Sequence, residues 1–235
     1  MMEPMTSPET IAVIIPAKDE AGAIRQVLAR IPRQIDGMDV SVIVVDDGSK
    51  DGTGTIARDC RAYVLRHVTN LGVGAATRTG LRAAMNLRSS IIVTMDADGQ
   101  HDPEEIEHLV RCLIQGPFDV VIGSRLLMRH GMPVSRFGAN LLLNAVTFLV
   151  YGKIVSDSQS GFKAFSRAAV EKLELRSSGY EICSEIIGEI YRRGLRYKSL
   201  PVKAVYTRYS QAKGQPFLNG VNLLIELFIR LVRRV

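Results

Sequence analysis

Three short apolar runs in this chain each stop at a cluster of acidic and small polar residues, and this pattern constrains the fold more than any other feature. Residues 11–15 run into Pro16-Ala17-Lys18-Asp19-Glu20, residues 40–45 into Asp46-Asp47-Gly48-Ser49, and residues 90–95 into Asp96-Ala97-Asp98. Five or six apolar residues ahead of a turn read as a buried strand. Between them lie helical spacings. Ile24, Val27, Leu28 and Ile31 share one face across residues 21–31, and residues 51–60 and 72–87 also read as helices. Short strands are predicted at 63–65 and 120–122. A helix over 103–115 starts cleanly, with Asp102 as its cap and Pro103 in its first turn. Strands alternating with helices imply an α/β fold, a mainly parallel sheet with helices on both faces. With the first, second and Asp96 strands parallel, all three acidic clusters lie along one edge of that sheet, where ligands dock.

After Gly123 the alternation stops. A loop is expected over 124–135, an apolar helix over 136–151, helices near 167–173 and 181–193, and a strand over 197–205. Across 217–235 the polar residues Asn219, Asn222, Glu226, Arg230, Arg233 and Arg234 recur every three or four positions. That spacing leaves a broad apolar face and a basic end, suited to a membrane surface or to a homodimer partner. The expected organisation is one domain over 1–210 followed by an amphipathic helix within 211–235.

With 235 residues, the chain can bury one substantial core. Its 46% hydrophobic and 23% charged residues exclude a disordered chain. The net charge of +6 fits anionic partners. No RNA-binding signature or recognition-helix motif accompanies it, so nucleic acid is not expected. Cys60, Cys112 and Cys183 form no CxxC pair and read as reduced thiols. The first ten residues lack the apolar core of a signal peptide, and no run of 18 apolar residues suggests a membrane span. The expected location is therefore cytoplasmic.

Paired carboxylates at a strand end offer hard oxygen ligands to Mg²⁺ or Mn²⁺, and those ions suit a diphosphate. Asp96-Ala97-Asp98 alone is equally a capped turn. Three such clusters on one edge are much harder to explain structurally.

The motifs IIPAKDE (14–20), VVDDGSKDGT (44–53), NLGVGAA (70–76), TMDADGQHDP (94–103), VIGSR (121–125) and DSQSGFKAFS (157–166) follow one another in the chain. As a set, this resembles the GT-A fold glycosyltransferases of family 2, in particular the dolichyl- or polyprenyl-phosphate sugar transferases. The resemblance covers roughly residues 10–210. It implies transfer of a sugar from a nucleoside diphosphate sugar to a polyprenyl or dolichyl phosphate, at the cytoplasmic face of a membrane. It assigns Pro16, Ala17, Lys18, Glu20, Asp46, Asp47, Asp96 and Ala97 to the nucleotide, and Asp96, Asp98 and Gln100 to the metal and diphosphate. Arg125, Arg136, Asn140 and Arg208 fall to the phosphates of donor or acceptor, with Asp98, Arg125 and Arg136 as the catalytic set. Two positions depart from the family pattern. Ala17-Lys18-Asp19 replaces an aromatic residue followed by Asn, and Val73 stands where many members carry Lys.

Other readings differ in the residues they require. A family 2 enzyme acting on a hydroxyl wants a carboxylate base, for which Asp157, Glu181 and Glu185 are the candidates. A processive synthase carries a Gln-x-x-Arg-Trp element, and this chain has no Trp. A nucleotidyltransferase opens with a Gly-rich loop, absent after the first strand here. A non-catalytic binding subunit has no need of the Asp96/Asp98 pair.

Overall fold

The computed structural model describes residues 9–128, 134–152 and 155–205. Its elements follow in the order β1 (Thr10–Ala17), α1 (Ile24–Ala29), β2 (Gln34–Ile35), β3 (Met38–Asp46), α2 (Thr53–Asp59), β4 (Tyr63–Arg66), α3 (Val73–Asn86) and β5 (Ile91–Thr94). A 3₁₀ turn (Pro103–Glu105) leads into α4 (Ile106–Gln115), β6 (Val120–Ser124) and α5 (Val134–Tyr151). Then come β7 (Lys163–Ser166), α6 (Arg167–Lys172), α7 (Ile182–Arg192) and β8 (Tyr197–Pro201).

The strands form one sheet in the order β2-β3-β1-β5-β7-β6-β8, with β4 also paired to β3. β1 pairs in parallel with β3 and β5, so the ends carrying Lys18, Asp46 and Asp96 do share one edge. Most strand pairs are parallel, as expected, and two strands run against them. β7 runs antiparallel between β5 and β6, and β2 runs antiparallel to β3. The physical reason is the route of the chain: after β6 it traverses α5 and returns to the same edge of the sheet that it left, so β7 runs back through the slot beside β5.

Alternation in β1 sends Ile11, Val13 and Ile15 to one face and Ala12 and Ile14 to the other. The first face packs against α1 and α4, whose Ile106, Leu109, Val110 and Leu113 are buried. Each such side chain contributes about 1.5–3 kcal/mol when fully removed from water. The second face packs against α3, α6 and α7 through Ala76, Leu81, Val170, Ile186 and Ile190. α3 approaches the sheet closely because Gly80 has no Cβ; one placed there would lie 2.2 Å from Ile14 Cγ2. Asp102 caps the turn at Pro103 by accepting the Glu104 N–H, as its sequence position predicts. Among the described residues, no helix is long and apolar enough to cross a membrane.

Candidate active site

The three strand ends build the floor of the site. At the end of β1, the Asp19 N–H donates to Ser49 Oγ at 2.9 Å and the Glu20 N–H donates to Thr53 Oγ1 at 2.8 Å. Lys18 Nζ pairs with Asp19 at 2.6 Å and donates to the Gly48 carbonyl at 3.3 Å. The loops after β1 and β3 are thus stitched together. Asp19 holds a left-handed φ of 52°, which an acidic side chain tolerates better than most.

Asp46 and Asp47 are both buried. Asp46 accepts the Ser49 N–H at 2.8 Å, and Asp47 accepts the N–H groups of Leu71 and Gly72 at 2.9 and 2.8 Å. His67 Nδ1 lies 2.7 Å from Asp47 as well. Asp47 therefore shapes the site through the 67–72 loop that leads into α3. Gly72, at φ +96°, lets that loop reach Ser178, whose carbonyl accepts the N–H groups of Gly74 and Ala75 at 2.7 and 3.2 Å.

Asp96 and Asp98 follow β5. His101 Nε2 lies 3.1 Å from Asp96 Oδ2, while Gln100 donates to Asp98 from both its backbone N–H at 2.9 Å and its Nε2 at 2.7 Å. In this arrangement Gln100 orients Asp98. Burial opposes ionisation of Asp96, yet the hydrogen bond and charge of His101, with Arg125 and Lys163 beyond, hold its carboxyl below the usual carboxylate range. The side chain keeps 41% of its surface open to solvent despite these neighbours. Asp98 goes the other way: burial and then the neighbouring Asp96 push its carboxyl up. Two crowded carboxylates of this kind, one of them disfavoured as an anion, fit a divalent cation, with Asp96 and Asp98 as its oxygen ligands. Gly161 completes the fit, since a Cβ there would lie 2.3 Å from Asp96 Oδ1.

Arg125 follows β6 and is held by Asp157, which has no exposed surface. Its Nε and Nη2 donate to the two carboxylate oxygens at 2.9 and 3.0 Å, and its backbone N–H adds a third bond at 3.1 Å. Burial opposes the Asp157 charge, but the Arg125 guanidinium outweighs it and holds the carboxyl low. Asn144 of α5 brackets the same residue, donating to the Ser156 carbonyl at 3.0 Å and accepting the Ser158 N–H at 2.8 Å. Arg136 lies in the first turn of α5 and Asn140 one turn on. Arg208 lies outside the described residues.

A small cavity opens where these parts meet, lined by Pro16, Val73, Thr77, Asp96, Gly161, Lys163 and Cys183. Lys163 is fully buried there and donates to the Ser160 carbonyl.

Residues 12–174 match Glycosyl transferase family 2. The chain belongs to this family. An uncharacterised protein of Methanocaldococcus jannaschii is 37% identical to this glycosyltransferase over 227 residues, spanning 94% of this chain and 92% of its own. A UDP-N-acetylglucosamine–dolichyl-phosphate N-acetylglucosaminyltransferase of Methanococcus voltae is 36% identical, over 93% of this chain and 95% of its own. Among solved structures, glucosyl-3-phosphoglycerate synthase of Mycobacterium tuberculosis, in complex with Mn²⁺, UDP and glucosyl-3-phosphoglycerate, superposes with a TM-score of 0.70 at 25% identity. It covers 95% of this chain and 80% of its own. The GT-A fold expected from the motifs is thereby shown.

The glycosyltransferase site unites most of the residues its sequence singled out: Pro16 to Glu20, Asp96 to Gln100, and Arg125. It turns Asp47 to the 67–72 loop, while Asp46 lines a second cavity with Ser49, Thr53 and Arg66. His101, Asn144, Gly161 and Lys163 are site neighbours that sequence reasoning passed over. Lys163 had a usable signal, a charged residue within the apolar run Phe162-Lys163-Ala164-Phe165.

Proposed function

We propose that this glycosyltransferase moves a sugar, with inversion, from a nucleoside diphosphate sugar to the phosphate of a polyprenol such as dolichyl phosphate. Asp96 and Asp98, with Gln100 beside them, hold Mg²⁺ or Mn²⁺. The acceptor assignment is carried by one observation: two of the three carboxylates suited to act as a base, Asp157 and Glu185, are already committed. Asp157 is locked in its bidentate pair with Arg125. Glu185 is buried and accepts the N–H groups of Arg176 and Ser177 on both oxygens, whereas Glu181 accepts that of Gly179 through Oε1. A hydroxyl acceptor needs a base, whereas a phosphate monoester, with a second pKa of about 6, is already nucleophilic at neutral pH. The name of the Methanococcus voltae relative points to the same acceptor and to a UDP-linked donor.

Asp157 and Asn144 fix Arg125 so that its charge opposes the repulsion between the incoming phosphate and the donor diphosphate. Arg136, Asn140 and Arg208 are assigned to the same phosphates, and Lys18, Glu20 and the backbone of Pro16 and Ala17 to the nucleoside. The cation, when bound, stabilises the departing diphosphate. The exposed Leu141, Leu142, Phe148 and Leu149 of α5, with Leu127 and Met128 ahead of it, support peripheral contact with the cytoplasmic face of a membrane. The 211–235 segment is assigned to the same contact.

The test is a panel of UDP- and GDP-sugars with Mg²⁺ or Mn²⁺ and a short polyprenyl phosphate. The expected outcome is one donor yielding a lipid-phosphate sugar that mild acid cleaves. Transfer to soluble hydroxyl acceptors with no glycolipid would overturn the acceptor assignment.

A further inference from the structure

His101 has no part in the chemistry above, yet it is the most completely enclosed polar side chain beside Asp96. Its side chain has 0% of its surface exposed, and its ring lies against Phe162 with centroids 5.1 Å apart. Its backbone is held as well: His101 bridges to Ala204, and the Val205 N–H donates to the Gln100 carbonyl at 2.9 Å. Nε2 reaches Asp96 Oδ2 at 3.1 Å, while Nδ1 is buried with no hydrogen-bond partner among the described residues. A buried polar atom without a partner is costly, and a ring needed only for packing would be better served by Phe. The retained imidazole therefore points to its one polar contact.

We propose that His101 is a positioning residue for Asp96. By holding Oδ2 of a carboxylate that has room only because Gly161 lacks a Cβ, it sets the direction in which the carboxylate meets the divalent cation. A carboxylate only accepts, so Nε2 of His101 carries a proton toward Asp96. This role rests on the cation being held at Asp96 and Asp98.

The experiment measures Mn²⁺ binding to the full chain by the electron paramagnetic resonance of the free ion, without donor or acceptor. His101→Phe keeps the ring on Phe162 and removes the donor; His101→Gln keeps an N–H within reach of Asp96. The expected result is Mn²⁺ affinity weakened about 10- to 100-fold in the Phe variant and largely restored in the Gln variant. Wild-type affinity in the Phe variant overturns the proposal, as does equal loss in both. Wild-type protein that does not bind Mn²⁺ removes the cation reading itself, and this role with it. Nitrogen NMR of the wild-type imidazole supplies a readout independent of variant folding: a proton on Nδ1 and none on Nε2 overturns the proposal.

Discussion

Asp157 shows how one buried side chain serves both stability and the site. Both of its oxygens are taken by Arg125, and removing one partner of a buried ion pair costs about 3–5 kcal/mol. Asp157→Asn is expected to lose stability on that scale in urea unfolding at pH 7, and to lower sugar transfer by loosening Arg125. The pH dependence follows from the depressed carboxyl. Its contribution is fully present above the ordinary carboxylate value of about 4 and is lost as pH falls through the lower folded value. The stability gap between wild type and Asp157→Asn should therefore close in acid and stay constant toward alkaline pH. Asp98→Ala separates function from folding. Sugar transfer is expected to fall at least about 100-fold, while the melting temperature holds or rises because burial and Asp96 disfavour the Asp98 charge.

At the scale of elements, α3 is the part whose placement depends most on residues without side chains. Gly72 combines a φ of +96° with a position where a Cβ would lie 2.3 Å from the Ser178 carbonyl oxygen. Gly72→Ala is expected to destabilise by more than about 1 kcal/mol and to raise the KM for the donor, because the loop it distorts borders the site. Gly80→Ala is the comparison. Its Cβ would strike Ile14, away from the acidic strand ends, so about 1–3 kcal/mol of stability is lost with donor KM little changed. Thermal melts and initial rates on the two variants check both expectations. Most elements were legible because their apolar spacing is local: the alternation in β1, the Asp102-Pro103 start before α4, the apolar face of α7. β7 was not. It has four residues, begins with a lysine and follows directly on the Gly161 loop, so no periodicity marks it; its pairing with β5 and β6 creates it.

At the scale of the whole molecule, the sheet edge gathers two carboxylates, an arginine and a buried lysine from distant parts of the chain. A cation and nucleotide that bind only the folded form stabilise it by mass action, about 2.7 kcal/mol at a hundred times Kd. Mn²⁺ with UDP is expected to raise the melting temperature by roughly 5–10 °C in a chain of this size. EDTA should reverse the shift and Asp98→Ala should abolish it, both checked by differential scanning calorimetry. Sequence alone determined the alternation of strands and helices, the acidic strand ends that share an edge, and the family, since each is written in short runs of neighbouring residues. Which of those carboxylates are taken up by the protein was decided by tertiary structure. Asp47 turns inward because the Leu71 and Gly72 N–H groups, 24 and 25 residues away, need an acceptor. Asp157 is closed as a base because Arg125, 32 residues earlier, is packed onto it. Hydrogen-bond partners this far apart meet only when the sheet brings them together, and a side chain's partners fix what remains of it for chemistry.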